Sequence, residues 1–217
     1  MRIALLGPPG SGKGTQASRI CETFGLTHLA SGDILRSEKS AGTPLGIKIR
    51  DFINAGLLVP DDLMLDVMKD KILALNRGFV LDGFPRTLPQ AQALNKMLFD
   101  LDRPLNLVLN FVVNPKTLSQ RFAGRRICPS CLSVYHVDSK PPQVPGICDI
   151  DGEPLVIRED DHPEVVEKRI LTYQETMAPL IAYYAQLGNF KTVDASASID
   201  EVTTTLLDKI RRHFLDE

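Results

Sequence analysis

Short apolar runs alternate with longer stretches of helical period along most of the chain, a pattern that predicts a parallel sheet covered by helices on both faces. Strands are predicted at RIALLG (2 to 7), THLAS (27 to 31), GFVLDG (78 to 83), LNLVLNFVV (105 to 113) and FKTVDA (190 to 195), five in all. Helices fill the gaps. The last is the best marked: Ser198 to Glu201 spells a capping box, and Val202, Leu206, Leu207 and Ile210 follow as an apolar stripe.

Two stretches interrupt the alternation. Residues 30 to 59 hold more helix than one crossover needs, broken by AGTPLG and NAGLLVP, which predicts a small helical insertion. From about Arg125 to Asp161 the chain is rich in Pro, Gly, Cys and Asp and has no helical period. A structureless segment of that length needs something else to hold it together.

That segment contains CPSC (128 to 131), then 16 residues, then CDID (148 to 151). Ligand pairs at this spacing form two turns that can close on one tetrahedral ion, a staple for a piece too small to have its own core. Cys128, Cys131 and Cys148 would supply three thiolates and Asp151 a carboxylate, with zinc the expected ion. Asp149 and His136 stand as competing fourth ligands. A site closed by four ligands is structural rather than catalytic. A redox C-x-x-C pair is the other reading, but no thioredoxin-like context surrounds it. A zinc ribbon gripping nucleic acid would need interleaved basic and aromatic residues that the segment lacks. Cys21, on the first helix, reads as a small core residue.

Composition narrows the rest. With 217 residues and 43% hydrophobic content the chain suits one domain with small insertions. A net charge of -2 gives no broad attraction for nucleic acid or an anionic membrane, so any cationic chemistry must come from local clusters. The opening residues are too few and too little apolar for a signal peptide, and no run approaches the ~20 apolar residues of a membrane span. A cytoplasmic location with reduced thiols is therefore expected.

The candidate chemistry begins at GPPGSGKGT (7 to 15), between an apolar strand and an amphipathic helix. It fits the phosphate-loop pattern G-x-x-x-x-G-K-[ST] except that Gly14 stands where the pattern asks for a hydroxyl. Glycines let backbone N–H groups crowd around a phosphate, the helix presents its positive end, and Lys13 adds a mobile cation. Downstream, GFVLDGFPRTLPQAQ (78 to 92) places Asp82 at the end of a strand, where a carboxylate can hold magnesium through water. Arg86 follows within the same turn.

Taken in order, GPPGSGKGT, SGDILR (31 to 36), LDGFPRT (81 to 87), GRR (124 to 126) and REDD (158 to 161) resemble the adenylate kinases, specifically the long form with a Cys-Cys-Cys-Asp lid. The likeness runs from Met1 into the final helix. In that family Gly14 is the ordinary residue, magnesium is held chiefly through nucleotide phosphates and water, and Thr15 supplies a hydroxyl one position later. The resemblance implies a P-loop kinase fold, with residues 1–29, 60–123 and 162–217 as the core, 30–59 as the insertion that binds the nucleoside monophosphate, and 124–161 as the lid. It implies a monomer that transfers phosphate reversibly from MgATP to AMP, giving two ADP.

By the same likeness Gly10, Ser11, Gly12, Lys13, Gly14 and Thr15 cradle the ATP phosphates, with Arg125, Val134 and Tyr135 closing over the donor. Arg121 and the backbone near Ala197 flank the donor adenine. Ser31, Arg36, Leu57, Leu58, Val59, Gly83, Phe84, Pro85, Arg86 and Gln90 hold AMP, and Arg158 and Arg169 reach toward the phosphates. Most members carry threonine where this chain has Ser31; the hydroxyl is kept. Lys13, Arg86, Arg121, Arg125, Arg158 and Arg169 form the expected catalytic set, since transfer to an anionic acceptor needs position and positive charge rather than a base. A UMP or CMP kinase of the same fold, or one using GTP, is the nearest alternative, against which Gln90 favours adenine. A nucleotide switch fits less well: NKML (95 to 98) is no N-K-x-D guanine motif, and a switch leaves the insertion and the arginines without purpose.

Overall fold

The computed structural model describes residues 1–215. Its strands are β1 (Arg2–Leu6), β2 (Thr27–Ala30), β3 (Phe79–Asp82), β4 (Leu107–Val112), β5 (Arg125–Ile127), β6 (Val134–His136) and β7 (Phe190–Asp194). Five of them form one sheet in the order β2-β3-β1-β4-β7, every neighbouring pair parallel. All five strands expected from the apolar runs are present, shorter by one to three residues, and Ser31 begins a helix instead of ending β2.

Strands covered on both faces are apolar on both, which is why RIALL reads as a continuous run. Ala4 and Leu6 turn to one side and Ile3 and Leu5 to the other, all at most 2% exposed. On the first side pack α4 (Asp61–Leu73), α5 (Leu88–Asp100) and α7 (Pro163–Ala185) through Met68, Leu94 and Tyr184. On the second, α1 (Lys13–Phe24) and α8 (Ile199–Leu215) bring Ile20, Leu206 and Ile210, and α6 (Pro115–Gly124) adds Leu118. The capping box at α8 forms in both directions: Ser198 Oγ accepts from the Glu201 N–H at 3.3 Å, and Glu201 Oε2 accepts from the Ser198 N–H at 3.1 Å.

The interrupting stretches have structures of their own. Between β2 and α4 run α2 (Ser31–Ala41) and α3 (Pro44–Asn54), the helical insertion that the sequence predicts. They touch at Gly46, where an added Cβ would lie 2.0 Å from the Glu38 carbonyl oxygen, so only glycine permits this approach. The segment after α6 contains the antiparallel pair β5-β6, with Arg125 opposite His136 and Ile127 opposite Val134. Three-residue strands are too short to show a period, so the hydrophobic pattern cannot reveal them. Their small core is Cys128, Tyr135 and Cys148, with Leu155 packed against it. A single turn, Glu159–Asp161, then leads into α7. Among the described residues no helix is long and apolar enough to cross a membrane.

The sheet order places the functional segments. The connections run to opposite sides of β1, with β3 and β2 on one side and β4 and β7 on the other, and ligands of such sheets lie outside the carboxyl ends of the strands at this reversal. Register brings Leu5 of β1 and Ala30 of β2 both opposite Asp82 of β3, so the loops leaving these three strands open side by side.

Candidate active site

A cavity of about 860 Å³ opens at that end of the sheet. Its floor is the loop between β1 and α1. Gly10 and Gly12 have φ of 80° and 90°, a region that L side chains rarely adopt, and a Cβ on Gly10 would meet the Phe122 ring at 2.8 Å. The Lys13 ammonium is folded back on the loop, donating to the carbonyl oxygens of Gly7 and Pro8 at 2.8 Å each and to Ser11 Oγ at 3.2 Å. Burial is the largest influence on Lys13 and pulls its pKa down to about 7. The Asp82 charge opposes that fall, while Arg86, Arg169 and Arg125 add to it.

Asp82 faces the loop from the end of β3, and its Oδ2 lies 3.2 Å from His28 Nε2. Burial works to raise its pKa, but the His28 hydrogen bond and the charges of Lys13 and Arg86 outweigh it and hold the carboxyl below its ordinary value. Here the missing hydroxyl after Lys13 has a steric reason: a Cβ on Gly14 would lie 3.3 Å from Asp82 Oδ2, closer than most such contacts. Glycine leaves the carboxylate room to stand at the mouth of the loop. Ser31 Oγ donates to the carbonyl oxygens of Asp82 and Gly83 at 3.1 and 2.7 Å, fixing the start of α2 against the end of β3.

The arginines come together as the motif order implies, and two carboxylates bind them. Arg169, from α7, reaches Asp160 at 3.0 Å and Asp161 at 3.2 Å. Arg125, at the foot of β5, lies 2.8 Å from Asp161, and Arg36, from α2, lies 3.8 Å from Asp160 while pairing with Asp33 at 2.5 Å. The Arg125 guanidinium also sits 4.8 Å from the centroid of the Phe122 ring. Arg158 lines the same cavity, its pKa pulled down to about 10 first by burial and then by Arg36 and Arg125. Burial would raise the Asp160 carboxyl, but Arg169, Arg36, Arg158 and Arg125 hold it below its ordinary value.

Arg121 occupies a different corner, donating to the carbonyls of Ser11 at 3.0 Å, Ala195 at 2.8 Å and Ala197 at 3.2 Å. It ties the phosphate loop to the end of β7. Ala195 lines the cavity there; Ala197 stands outside it and accepts from Arg121 through its carbonyl. Thr15, Val134 and Tyr135 also line the cavity, but the Tyr135 ring is buried in the β5-β6 segment and its hydroxyl accepts from the Asp149 N–H at 2.9 Å.

A second, smaller cavity of about 70 Å³ adjoins the first under α2 and α3. Ser31, Arg36, Leu57, Leu58, Val59 and Gln90 are among its walls, with Gly83 and Arg86 at the junction. Arg86 Nε donates to the Gly83 carbonyl at 2.6 Å. Pro85 lines the larger cavity, while Phe84 turns away from both and is fully buried among the α4, α5 and α7 side chains. Thr87 caps α5, which starts at Leu88 with Pro89 next, and this sets Gln90 in the first helical turn.

Away from the cleft, the ligand atoms of Cys128, Cys131, Cys148 and Asp151 all lie within 4.8 Å of one another. Cys131 Sγ and Cys148 Sγ are 3.5 Å apart, and Cys128 Sγ is 3.2 Å from Asp151 Oδ2. Four ligands about 2.3 Å from one tetrahedral centre stand roughly 3.8 Å from each other, so the set fits such an ion. The two competing ligands are occupied elsewhere. Asp149 Oδ1 accepts from the Gln143 N–H at 2.8 Å, and His136 Nδ1 accepts from the N–H groups of Asp138 and Ser139 at 3.1 and 3.2 Å.

Reading the sequence missed His28, Asp33, Asp61, Asp160 and Asp161. Asp160 and Asp161 stand within the quoted REDD, where their acidity beside so many cleft arginines was the available signal. His28 and Asp61 belong to no motif, and only strand register and helix placement bring them to the site.

Comparison with known proteins agrees with this geometry. A profile of the family described as adenylate kinase matches residues 5–189. Over 214 residues, 98% of this chain and 100% of the relative, the sequence is 42% identical to the adenylate kinase of Carboxydothermus hydrogenoformans. It is 46% identical over 206 residues to that of Chloroherpeton thalassium, covering 94% of each chain, and 44% identical over 202 residues to that of Pyrococcus abyssi, covering 93% of this chain and 92% of the relative. A profile match across most of the chain, joined to this degree of identity end to end, means that the chain belongs to the adenylate kinase family.

Proposed function

We propose that the chain transfers the terminal phosphoryl group of MgATP to AMP, reversibly, giving two molecules of ADP. The observation that carries this reading is the convergence of Lys13, Arg36, Arg86, Arg125, Arg158 and Arg169 on one cavity joined to a second that ends at Gln90. The larger cavity takes ATP and the smaller AMP, so that the two phosphate chains meet where the cavities join. In that division residues 30–59 form the flap over AMP and 124–161 the lid over ATP.

The amides of Gly10 to Thr15 and the Lys13 ammonium hold the donor phosphates, with Arg121 and the backbone around Ala195 and Ala197 beside the donor base. Ser31, Arg36, Leu57 to Val59 and Gln90 hold AMP, and Arg86 and Arg169 align its phosphate with the donor. Arg125 and Arg158, carried by the lid segment, reach the transferring group as the lid closes and water is excluded, which keeps the phosphoryl group from hydrolysis. The acceptor oxygen is already anionic, so no residue has to remove a proton, and the work is alignment and charge stabilisation. Asp82, with a free carboxylate oxygen chemistry suited to a hard cation, and Thr15 in the same cavity would hold magnesium through water. When bound, the ion neutralises charge on the phosphate oxygens. The four lid ligands hold structural zinc.

Three outcomes follow from these assignments. With ATP and AMP together the chain forms ADP stoichiometrically in a coupled assay, and Lys13→Met lowers kcat at least about a hundredfold while leaving the fold intact. ATP hydrolysis that ignores AMP, or a wild-type rate in the variant, contradicts the assignment.

Phosphate beside Lys13 favours the ammonium form, so ATP binding takes up a proton wherever the free lysine is partly neutral, above about pH 7. ATP affinity should then fall as pH rises from about 7 to 9, by no more than about tenfold per pH unit, with proton uptake seen by calorimetry in two buffers of different ionisation enthalpy. PH-independent affinity, or proton release, counts against a lysine held this way.

Purified protein should carry about one zinc per chain, and Cys128→Ser should melt roughly 5 °C lower or more while staying active in the cold. A metal-free preparation with an unchanged melting curve removes the zinc assignment.

A further inference from the structure

Gln90 is 2% exposed, and its amide is held at both ends. Oε1 accepts from the Arg86 backbone N–H at 2.8 Å, and Nε2 donates to Asp61 Oδ1 at 2.7 Å. Asp61 opens α4, and its second oxygen accepts from the Thr87 hydroxyl at 2.8 Å. That hydroxyl oxygen accepts in turn from the Gln90 backbone N–H at 3.2 Å. Asp61 lines neither cavity, whereas Gln90 forms part of the wall of the smaller one.

A primary amide turned by half a revolution about its last bond exchanges donor for acceptor in nearly the same space. Here both ends forbid the exchange. A carboxylate can only accept, so the turned amide would set Oε1 against an Asp61 oxygen. A backbone N–H can only donate, so Nε2 would face Arg86 donor to donor. In a site this buried each mismatch leaves a polar group unsatisfied.

The fixed amide has one N–H and one lone pair left for a ligand. Adenine offers their complement, the N1 acceptor beside the N6 donor. Hypoxanthine and guanine offer the reverse, an N1–H donor beside the O6 acceptor. A freely turning amide would accept either pattern, while a fixed one matches only the first and opposes the second. Sites whose buried polar groups are left unpaired by the wrong ligand discriminate strongly.

We infer that Asp61 is a specificity-determining positioning residue, which fixes the orientation of the Gln90 amide so that the acceptor cavity takes a 6-aminopurine monophosphate and rejects a 6-oxopurine one. The inference rests on the reading of Gln90 as the residue that meets the acceptor base. The test measures kcat/KM for AMP and for inosine monophosphate, with MgATP as donor, in the wild type and in Asp61→Leu, Asp61→Ala and Gln90→Leu, the two Asp61 variants offering Gln90 Nε2 no acceptor.

Both Asp61 variants should lower the AMP-to-inosine-monophosphate ratio by about tenfold or more, the size expected on losing one charge-assisted acceptor, with the KM for MgATP unmoved. Two variants guard against misfolding in either one, and a cooperative melting curve qualifies each for comparison. If both keep the wild-type ratio, or both acceptors fall by the same factor, Asp61 does not set the selectivity and the inference is overturned. Gln90→Leu separates the underlying reading: it should raise the KM for AMP and erase the ratio. A wild-type ratio in that variant shows instead that Gln90 does not meet the base.

Discussion

The guanidinium groups of Arg36, Arg86, Arg125, Arg158 and Arg169 and the Lys13 ammonium line a single cleft, and that concentration of like charge is the constraint around which the molecule is built. Two unit charges about 4 Å apart interact by roughly 4 kcal/mol at an effective dielectric constant of 20, so the cluster persists only with anions among it. Asp160 and Asp161 supply them, linking Arg36 of α2, Arg125 of β5 and Arg169 of α7. The exposed Glu159 adds a further tie from the same turn to Lys39 of α2. The elements around the cleft are thus bound to one another through the same arginines that are proposed to bind phosphate. The charge needed for phosphoryl transfer and the closure needed to exclude water have the same source.

Each functional side chain owes its place to the sheet. Parallel strands in register deliver the phosphate loop, Ser31 and Asp82 to one edge, and helix starts do the rest: Gly12 ahead of α1, Ala30 ahead of α2 and Thr87 ahead of α5. Local sequence rules and the global topology agree here, which is the consistency expected of a chain that specifies one structure. Gly14 shows the same economy at a single residue. By carrying no side chain it leaves Asp82 Oδ2 in the cleft, where His28 orients it and Lys13 faces it.

Much of this was legible beforehand. Buried parallel strands are apolar runs whatever surrounds them, so β1, β3 and β4 announce themselves, and the Ser198–Glu201 box marks α8 because capping is a local hydrogen-bonding event. The cysteine spacing likewise picks out three of the four clustered candidate ligands, and the hydrogen bonds that occupy Asp149 and His136 favour Asp151 as the fourth. What stays hidden depends on contacts between distant segments. The His28–Asp82 pair spans two strands, the Asp61–Gln90 pair spans two helices, and β5-β6 is too short to carry a period. Phe84 and Tyr135 sit inside segments that line the cleft, yet both rings point into apolar packing, because a motif fixes the backbone path and leaves individual side chains to the core.

An arginine cluster built this way grips two nucleotides end to end. The most direct measurement is a crystal structure with a bisubstrate analogue, two adenosines joined by five phosphates. One adenosine should lie beside Arg121, the other against Gln90, and Arg36, Arg86, Arg125, Arg158 and Arg169 should all stand within hydrogen-bonding distance of the phosphate chain. A chain of phosphates lying outside that ring of side chains, or guanidinium groups directed away from it, would contradict it.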